Sequence, residues 1–392
     1  MTISDALDYE DPSDGDIEEE QVETGKDPLE PWDPKKIRIT TKNLTLREVV
    51  DQIVDNEIDL APDFQREYVW KERQKTRLIE SILLGIPLPA FYFNQDPDGT
   101  YQVVDGVQRL TTVRLFMEGQ HVLDANDLEY LGDLAGKRYS NLDPATVRRF
   151  RSTQIVVHII EPQTPEDVKY DIFGRVNTLG SPLSAQEIRH AMSKQRSRHF
   201  LEALTELEAF HLATGDSFRK RVDGQWKPNS RRMANRELAL RFCALHQYTA
   251  EDYRKHGSLD AYLVDFTKRL DGRASDPSLN ISDAHMALLK TDFERAMSNA
   301  YNVLGRAAFR RWSPSGGRRG PINRAVFESQ ALALANYALE HLVPYKDPIA
   351  SAFQSLFNDD AYLRSVTVGT GDPAAITERL TRTREALEEV LR

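Results

Sequence analysis

The stretch YQVVDGVQRLTT, residues 101–112, decides how the rest of the chain is read. A strand-like run ends at Asp105 and Gly106, and a helical pattern carrying Leu110, Val113 and Met117 follows it. Gly106 lets the backbone approach a ligand closely, and the first helical amides, with the helix dipole, favour an anion. Gln108 offers a donor and an acceptor, and Arg109 a planar fork suited to phosphate oxygens. Thr111 and Thr112 add hydroxyls in the next turn, as donors or as a metal contact. Alone, the arrangement is weak evidence for phosphate binding against local capping with a surface salt bridge. Asp105 reads either as a cap of the turn or as a metal contact.

Working outward, AFYFN (90–94) and YQVVD (101–105) form a hairpin across the turn Asp96-Pro97-Asp98-Gly99. Upstream, Leu78, Ile79, Ile82 and Leu83 recur at helical spacing until Gly85 and Pro87 stop the helix. Before it come an extended piece (IRITTKNLT), a helix over 46–56 and an aromatic-punctuated loop, PDFQREYVW (62–70). QIVVHII (154–160) is a further strand. Beyond Pro165 the pattern is almost wholly helical, with helices expected at 166–177, 185–211, 235–247, 258–271, 283–304, 322–341 and 375–391. Ser184 and Glu187 form a capping box, and Asp347-Pro348 reads as a helix start. The fold class is therefore α+β, a mixed core followed by a large α-helical region. The expected division is an acidic arm at 1–36, a core at 37–162 and a helical domain at 163–392.

The formal charge of -10 is unevenly distributed. Residues 1–33 hold 13 acidic side chains and one lysine, leaving 50 basic and 48 acidic residues elsewhere. The arm has few large apolar residues and reads as a solvated disordered tail, or alternatively as a mimic of nucleic-acid charge. A single cysteine, Cys243, excludes an internal disulfide and fits a reducing cytoplasm. No apolar run approaches the roughly 18–20 residues of a membrane span. The acidic N-terminus does not read as a secretory signal, so a cytoplasmic location is expected. No zinc-ligand set and no G-x-S-x-G nucleophile elbow occurs.

Four segments in order carry a family resemblance: FQREYVW (64–70), ESILLGIPLP (80–89), DGVQRLTT (105–112) and FGRVNTLGSPLSAQEI (173–188). They resemble the FQR-x-x-V-W, G-x-P-x-P, DGQQRLTT and F-x-R-x-N-x-x-G-x-x-L-S motifs of the GmrSD restriction-endonuclease N-terminal domain family. RRMANRELALRFCAL (231–245) is similar to the first helical element beyond that core. The resemblance covers roughly residues 40–250. It implies a ParB/sulfiredoxin-like core whose strand–DGxQR–helix turn holds a nucleoside triphosphate, with Mg2+ as a candidate companion. Relatives occur in restriction systems in which nucleotide binding or hydrolysis regulates a separate HNH nuclease module. By position Asp105, Gly106, Gln108, Arg109, Thr111 and Thr112 match the central motif, Gln65 and Arg66 the upstream one, and Arg175 and Asn177 the downstream one. Read from the residues alone, Gln65, Arg66 and Trp70 also suit a loop staple, and Asn177 a helix cap.

Two departures matter. Val107 stands where the family has its first glutamine, which bears on any hydrolytic role there. Glu340-His341-Leu342-Val343-Pro344 resembles the start of an HNH strand, yet no histidine follows it, and His341 suits a helix end. Basic clusters lie at Arg148, Arg149 and Arg151, at 219–232 around Trp226, and at Arg310, Arg311, Arg318 and Arg319. Each reads as a solvated face or, if they converge, as a DNA contact.

The expectation is a nucleotide-binding, and in one version NTP-hydrolysing, sensor of foreign or modified DNA in a bacterial antiphage restriction system. Asp105, Gln108 and Arg109 would carry the chemistry. Gln65, Arg66, Gly106, Thr111, Thr112, Arg175 and Asn177 would bind the nucleotide. The alternative is a non-catalytic DNA-binding or scaffold protein that recruits a separate nuclease subunit. DNA and a defence-system subunit are the expected partners, and self-association is left open.

Overall fold

The computed structural model describes residues 17–18, 34–60, 70–176, 184–229, 231–311 and 320–392. They divide into two compact units, Leu29–Met192, and Ser193–Arg392 together with Met1–Pro28.

In the first unit a mixed sheet is built from β1 (Ile39–Thr45), β2 (Ile58–Asp59), β3 (Phe91–Gln95), β4 (Tyr101–Asp105) and β5 (Gln154–Ile160). The order is β1-β5-β3-β4-β2, with β1–β5 and β3–β4 antiparallel and β3–β5 and β2–β4 parallel. Burial alternates along β5 through Ile155 and Val157 against exposed Gln154 and Val156, so its N-terminal half has one face in the core. Gln102, Val103 and Val104 are all buried, so β4 is covered on both faces.

The helices of this unit are α1 (Leu46–Val54), α2 (Glu72–Leu84), α3 (Val107–Met117), α4 (Pro144–Ser152), α5 (Glu166–Val176) and α6 (Ala185–Met192). Local chemistry sets their ends. Thr45 and Glu48 close a capping box on α1, and Asp143 caps α4 with Pro144 in its first turn. Gly85, left-handed at φ 78°, ends α2. The unit extends to Met192 rather than to residue 162, because α5 and α6 pack on β4.

The second unit is helical: α7 (Gln195–Thr205), α8 (Glu208–Thr214), α9 (Ala234–Leu245), α10 (Ala250–Arg254), α11 (Leu259–Leu270), α12 (Asp283–Leu304), α13 (Arg324–Leu334), α14 (Leu339–Leu342), α15 (Lys346–Ser355), α16 (Asp360–Ser365) and α17 (Pro373–Leu391). The single helix expected over 185–211 is three, because Lys194 and Leu207 adopt extended backbone. A two-stranded ribbon, β6 (Arg219–Val222) and β7 (Gln225–Pro228), interrupts the helical pattern. Its turn shows in the sequence as Asp223-Gly224, a pair suited to a tight hairpin. His341 lies in the last turn of α14. The α+β class, a mixed sheet region followed by a large helical region, holds across both units.

A chain of alternating buried charges ties α9, α13 and α17 together. The Arg379 guanidinium donates to Glu328, which also accepts from Arg241 at 2.9 Å. Arg241 in turn reaches Glu237 at 2.7 Å, and Arg324 approaches Glu237 at 3.3 Å. Arg379 and Glu328 are both wholly buried. A buried carboxylate between two guanidinium groups is stable only while its partners remain. Glu328→Ala leaves two arginines without their shared anion and is expected to destabilise this unit by about 3–5 kcal/mol in denaturant unfolding.

Two residues of the acidic arm are also placed here. Ile17 forms a parallel bridge with Ile322 and packs against the helical core. Glu18 accepts from Arg311 Nε at 2.8 Å and from Asn323 at 3.1 Å. At this point the arm is anchored by an apolar contact, an ion pair and hydrogen bonds to Glu18.

In the first unit, buried Glu80 accepts from the backbone N–H groups of Glu129, Tyr130 and Leu131 at 2.7–3.0 Å. Burial raises its pKa, but the three backbone donors lower it more, and the net position is below the ordinary glutamate value. The stabilisation is therefore present above the unfolded-state pKa and lost as pH falls through the folded one. Glu80→Gln is expected to flatten the loss of stability between about pH 5 and pH 3, measured by urea unfolding at each pH.

Candidate functional site

The turn between β4 and α3 is held by one side chain. Arg109, on the first turn of α3, donates to the Pro89 carbonyl, to the Ala90 carbonyl at 3.1 Å and to Asp105 Oδ2 at 2.8 Å. Its guanidinium carbon also lies 4.1 Å from the centroid of the Phe91 ring. Burial pushes the Arg109 pKa down, and the Asp105 charge and hydrogen bond oppose that shift. The guanidinium therefore fixes the end of β4 against the segment entering β3.

Gly106 closes the same knot. Its φ is 103°, and a Cβ there would sit 2.2 Å from Phe91 Cδ1. Both the left-handed backbone and the close ring exclude a larger residue. Gly106 is the N-cap of the 11-residue α3 and, having no side chain, provides no side-chain cap. Just before the turn the β3–β4 register shifts between Tyr92 and Phe93, and Val104 is the extra residue of this bulge. Bulges of this kind re-aim the end of a strand beside a site.

The other motif residues take distinct positions. Val107 is only 3% exposed, so the residue that departs from the family pattern is a core position in this chain. Thr112 is fully buried, and its hydroxyl donates to the Gln108 carbonyl at 2.7 Å. Gln108 and Thr111 are half-buried.

The sequence model for the GmrSD restriction endonuclease, N-terminal domain, matches residues 46–193. These residues belong to that family. The match ends within one residue of the compact unit, Leu29–Met192. The segment 231–245 lies outside it, so the similarity expected there is not part of the match. No curated protein matches the chain.

Within this GmrSD-type domain, Arg175 is exposed in the last turn of α5. Gln65, Arg66 and Asn177 lie outside the described residues. Among the described residues, no group of three His, Cys, Asp or Glu side chains is arranged to hold a metal ion.

A second set of polar residues was, apart from the capping Glu187, not singled out from the sequence. Asn94 on β3 and Gln102 on β4 are register partners, both buried, and 3.5 Å separates Asn94 Nδ2 from Gln102 Oε1. Asn94 Oδ1 has no hydrogen-bond partner among the described residues. On α5 and α6, which pack on β4, Lys169, Gln186, Glu187, Arg189 and His190 are each no more than 3% exposed. Burying so many polar groups is costly unless each is partnered, and such groups concentrate where a domain does its chemistry. The sequence did carry a signal for them, since Gln186 and Glu187 close the fourth family segment. Helical periodicity alone would have assigned most of α6 to a solvated face.

The knot makes a sharp prediction. Gly106→Ala is expected to destabilise the Leu29–Met192 unit by about 2–4 kcal/mol through left-handed strain and the clash with Phe91. Combining it with Phe91→Leu should recover the steric part, seen as a non-additive double-mutant cycle in thermal unfolding.

Proposed function

We propose that the family domain binds the phosphates of a nucleoside triphosphate at the N-terminus of α3. On this reading the chain is the nucleotide-responsive component of a bacterial restriction system that senses foreign or modified DNA. The observation that carries the proposal is the left-handed Gly106, packed on Phe91, which starts α3 directly at the end of β4. A helix start, with its first-turn amides and the positive end of the dipole, suits an anion. Gln108 adds a polar side chain with a donor amide at the same turn. A ParB-like core is consistent with this placement at a strand-to-helix turn.

Asp105 is the carboxylate closest to the turn, and a Mg2+ arriving with the phosphates would look to it. Because Asp105 is paired with Arg109, it takes that role only by exchanging a partner. Arg109 itself acts first as a positioning residue, and a direct phosphate contact requires it to release Asp105. Hydrolysis has no support at position 107, where a buried valine can neither orient water nor move a proton.

The engagement of Arg109 favours the second reading to the same degree. A guanidinium donating to Pro89, Ala90 and Asp105 suits a domain whose turn is structural. In that case the chain is a non-catalytic DNA-binding or scaffold protein that recruits a separate nuclease subunit.

Titration of labelled ATP, GTP and CTP with Mg2+ onto the full chain separates the two. Saturable binding of one nucleotide is expected, weakened about tenfold or more in Gln108→Ala at unchanged unfolding temperature. If none of the three binds the folded protein, the nucleotide reading falls and the scaffold reading replaces it. Phosphate release over the same concentration range tells a switch ligand from a substrate.

A further inference from the structure

The three basic clusters of the sequence have different fates. Arg310 is buried and structural, donating to the carbonyls of Gly320, Ala308 and Thr214 at 3.0–3.1 Å and to the Ser217 hydroxyl at 3.2 Å. Arg311 is paired with Glu18 of the arm. Arg148, Arg149 and Arg151 are exposed on α4 in the other unit. The β6–β7 ribbon is different, because it is built to hold cations away from the protein.

An isolated two-stranded hairpin is marginal in water, so its rigidity must come from its base and its turn. At the base, Arg219 makes a bidentate pair with Glu208 at 2.6 and 2.8 Å and a further contact with Asp216 at 2.6 Å. Asn229 N–H donates to the Phe218 carbonyl at 2.8 Å, and Phe218 stacks on Phe210 in the core. At the tip, Asp223 and Gly224 have φ values of 52° and 78°, both left-handed, as a tight type I′ turn requires.

The strands carry Lys220, Arg221 and Lys227, all exposed, and none makes an ion pair among the described residues. Lys220 stands directly opposite Lys227. Like charges facing each other across a ribbon repel, and a bound anion relieves that repulsion. On the other face Arg219 and Arg221 lie over the Trp226 ring, at 4.4 and 5.1 Å from its centroid. The ring therefore holds guanidinium groups in place and does not offer a clear platform for a base.

We propose that this ribbon is a contact surface for double-stranded DNA, with Lys220, Arg221 and Lys227 on the phosphates. Charge complementarity names a polyanion, since Lys220, Arg221 and Lys227 are exposed with no ion-pair partner among the described residues. Shape selects the duplex. A two-stranded ribbon fits the B-form major groove, roughly 12 Å wide, whereas the A-form groove of RNA is too narrow to admit it. Single strands are recognised by stacking on open aromatic faces, and Trp226 is covered by arginines. The surface lies in the helical unit, so it stands or falls separately from the nucleotide reading.

The test is fluorescence anisotropy of the full chain with a labelled random-sequence DNA duplex of about 30 base pairs, at several salt concentrations. The comparison variants are K220Q/R221Q/K227Q and, as a control on the other exposed cluster, R148Q/R149Q. Wild type and control should bind alike, with affinity falling linearly on a log–log salt plot. The triple variant should lose at least about tenfold in affinity, and its slope should drop by about 2–3, near 0.9 per phosphate contact removed. Duplex RNA and single-stranded DNA of equal length should bind at least about tenfold more weakly than duplex DNA.

Trp226→Phe, which keeps the cations, provides a second readout. It should abolish a DNA-induced change in tryptophan emission while the protein still binds. Unchanged affinity and slope in the triple variant overturn the proposal. Equal binding of duplex RNA, or of polyglutamate in place of DNA, also overturns it by showing a surface that is merely cationic or suited to an acidic protein. Matching far-UV circular dichroism of the variants excludes unfolding as the source of any loss.

Discussion

The constraint on which the family domain depends is the close approach of Phe91 to Gly106 beneath the Arg109 guanidinium. A ring occupies the space where a Cβ would stand, so the residue at 106 must be glycine and the backbone is free to turn left-handed. That turn starts α3 directly at the end of β4 without a capping side chain. Arg109 then ties the turn to Pro89, Ala90 and Asp105, which fixes the entry to β3 relative to the exit from β4. The start of α3 and a fixed carboxylate follow from the same packing decision.

Charge plays a different part in the helical unit. Arg324, Glu237, Arg241, Glu328 and Arg379 form a sequence of alternating signs through α9, α13 and α17. Such a chain adds little net stability over an apolar core of equal volume, but it penalises any register in which one member loses its partner. The ribbon inverts this logic. Arg219 is neutralised at the base by Glu208 and Asp216, while Lys220, Arg221 and Lys227 are kept exposed. The acidic arm touches the unit at Glu18, whose carboxylate meets Arg311, so the unit's own surface already receives one carboxylate of the arm.

Most of the site was legible as a pattern, but its internal engagement was not. Asp105, Gly106 and Arg109 stand at the strand-to-helix turn where the sequence placed them. That Arg109 faces backbone carbonyls and a phenyl ring depends on the chain returning through residues 89–91, some twenty residues upstream. No local spacing encodes that return. Lys169, Arg189 and His190 escaped notice for the same reason, because α5 and α6 read as amphipathic helices until β4 is seen covered on both faces. Val107 looked like a missing polar group and is a core residue.

The sequence by itself determined the α+β class, the β3–β4 hairpin and the helix α3 after it, most helix positions and the family of residues 46–193. Period-two and period-3.6 burial, glycine stops and capping pairs are local and survive without tertiary context. Tertiary structure decided the rest. It moved the first unit's boundary to Met192, because α5 and α6 pack on β4, a strand far earlier in the chain. It broke the helix expected over 185–211 at Lys194 and Leu207, where backbone turns override side-chain periodicity. It also raised the β6–β7 ribbon from a run that reads as a solvated basic loop, since the Phe218 and Arg219 anchors that hold it come from α8 and the segment beside it.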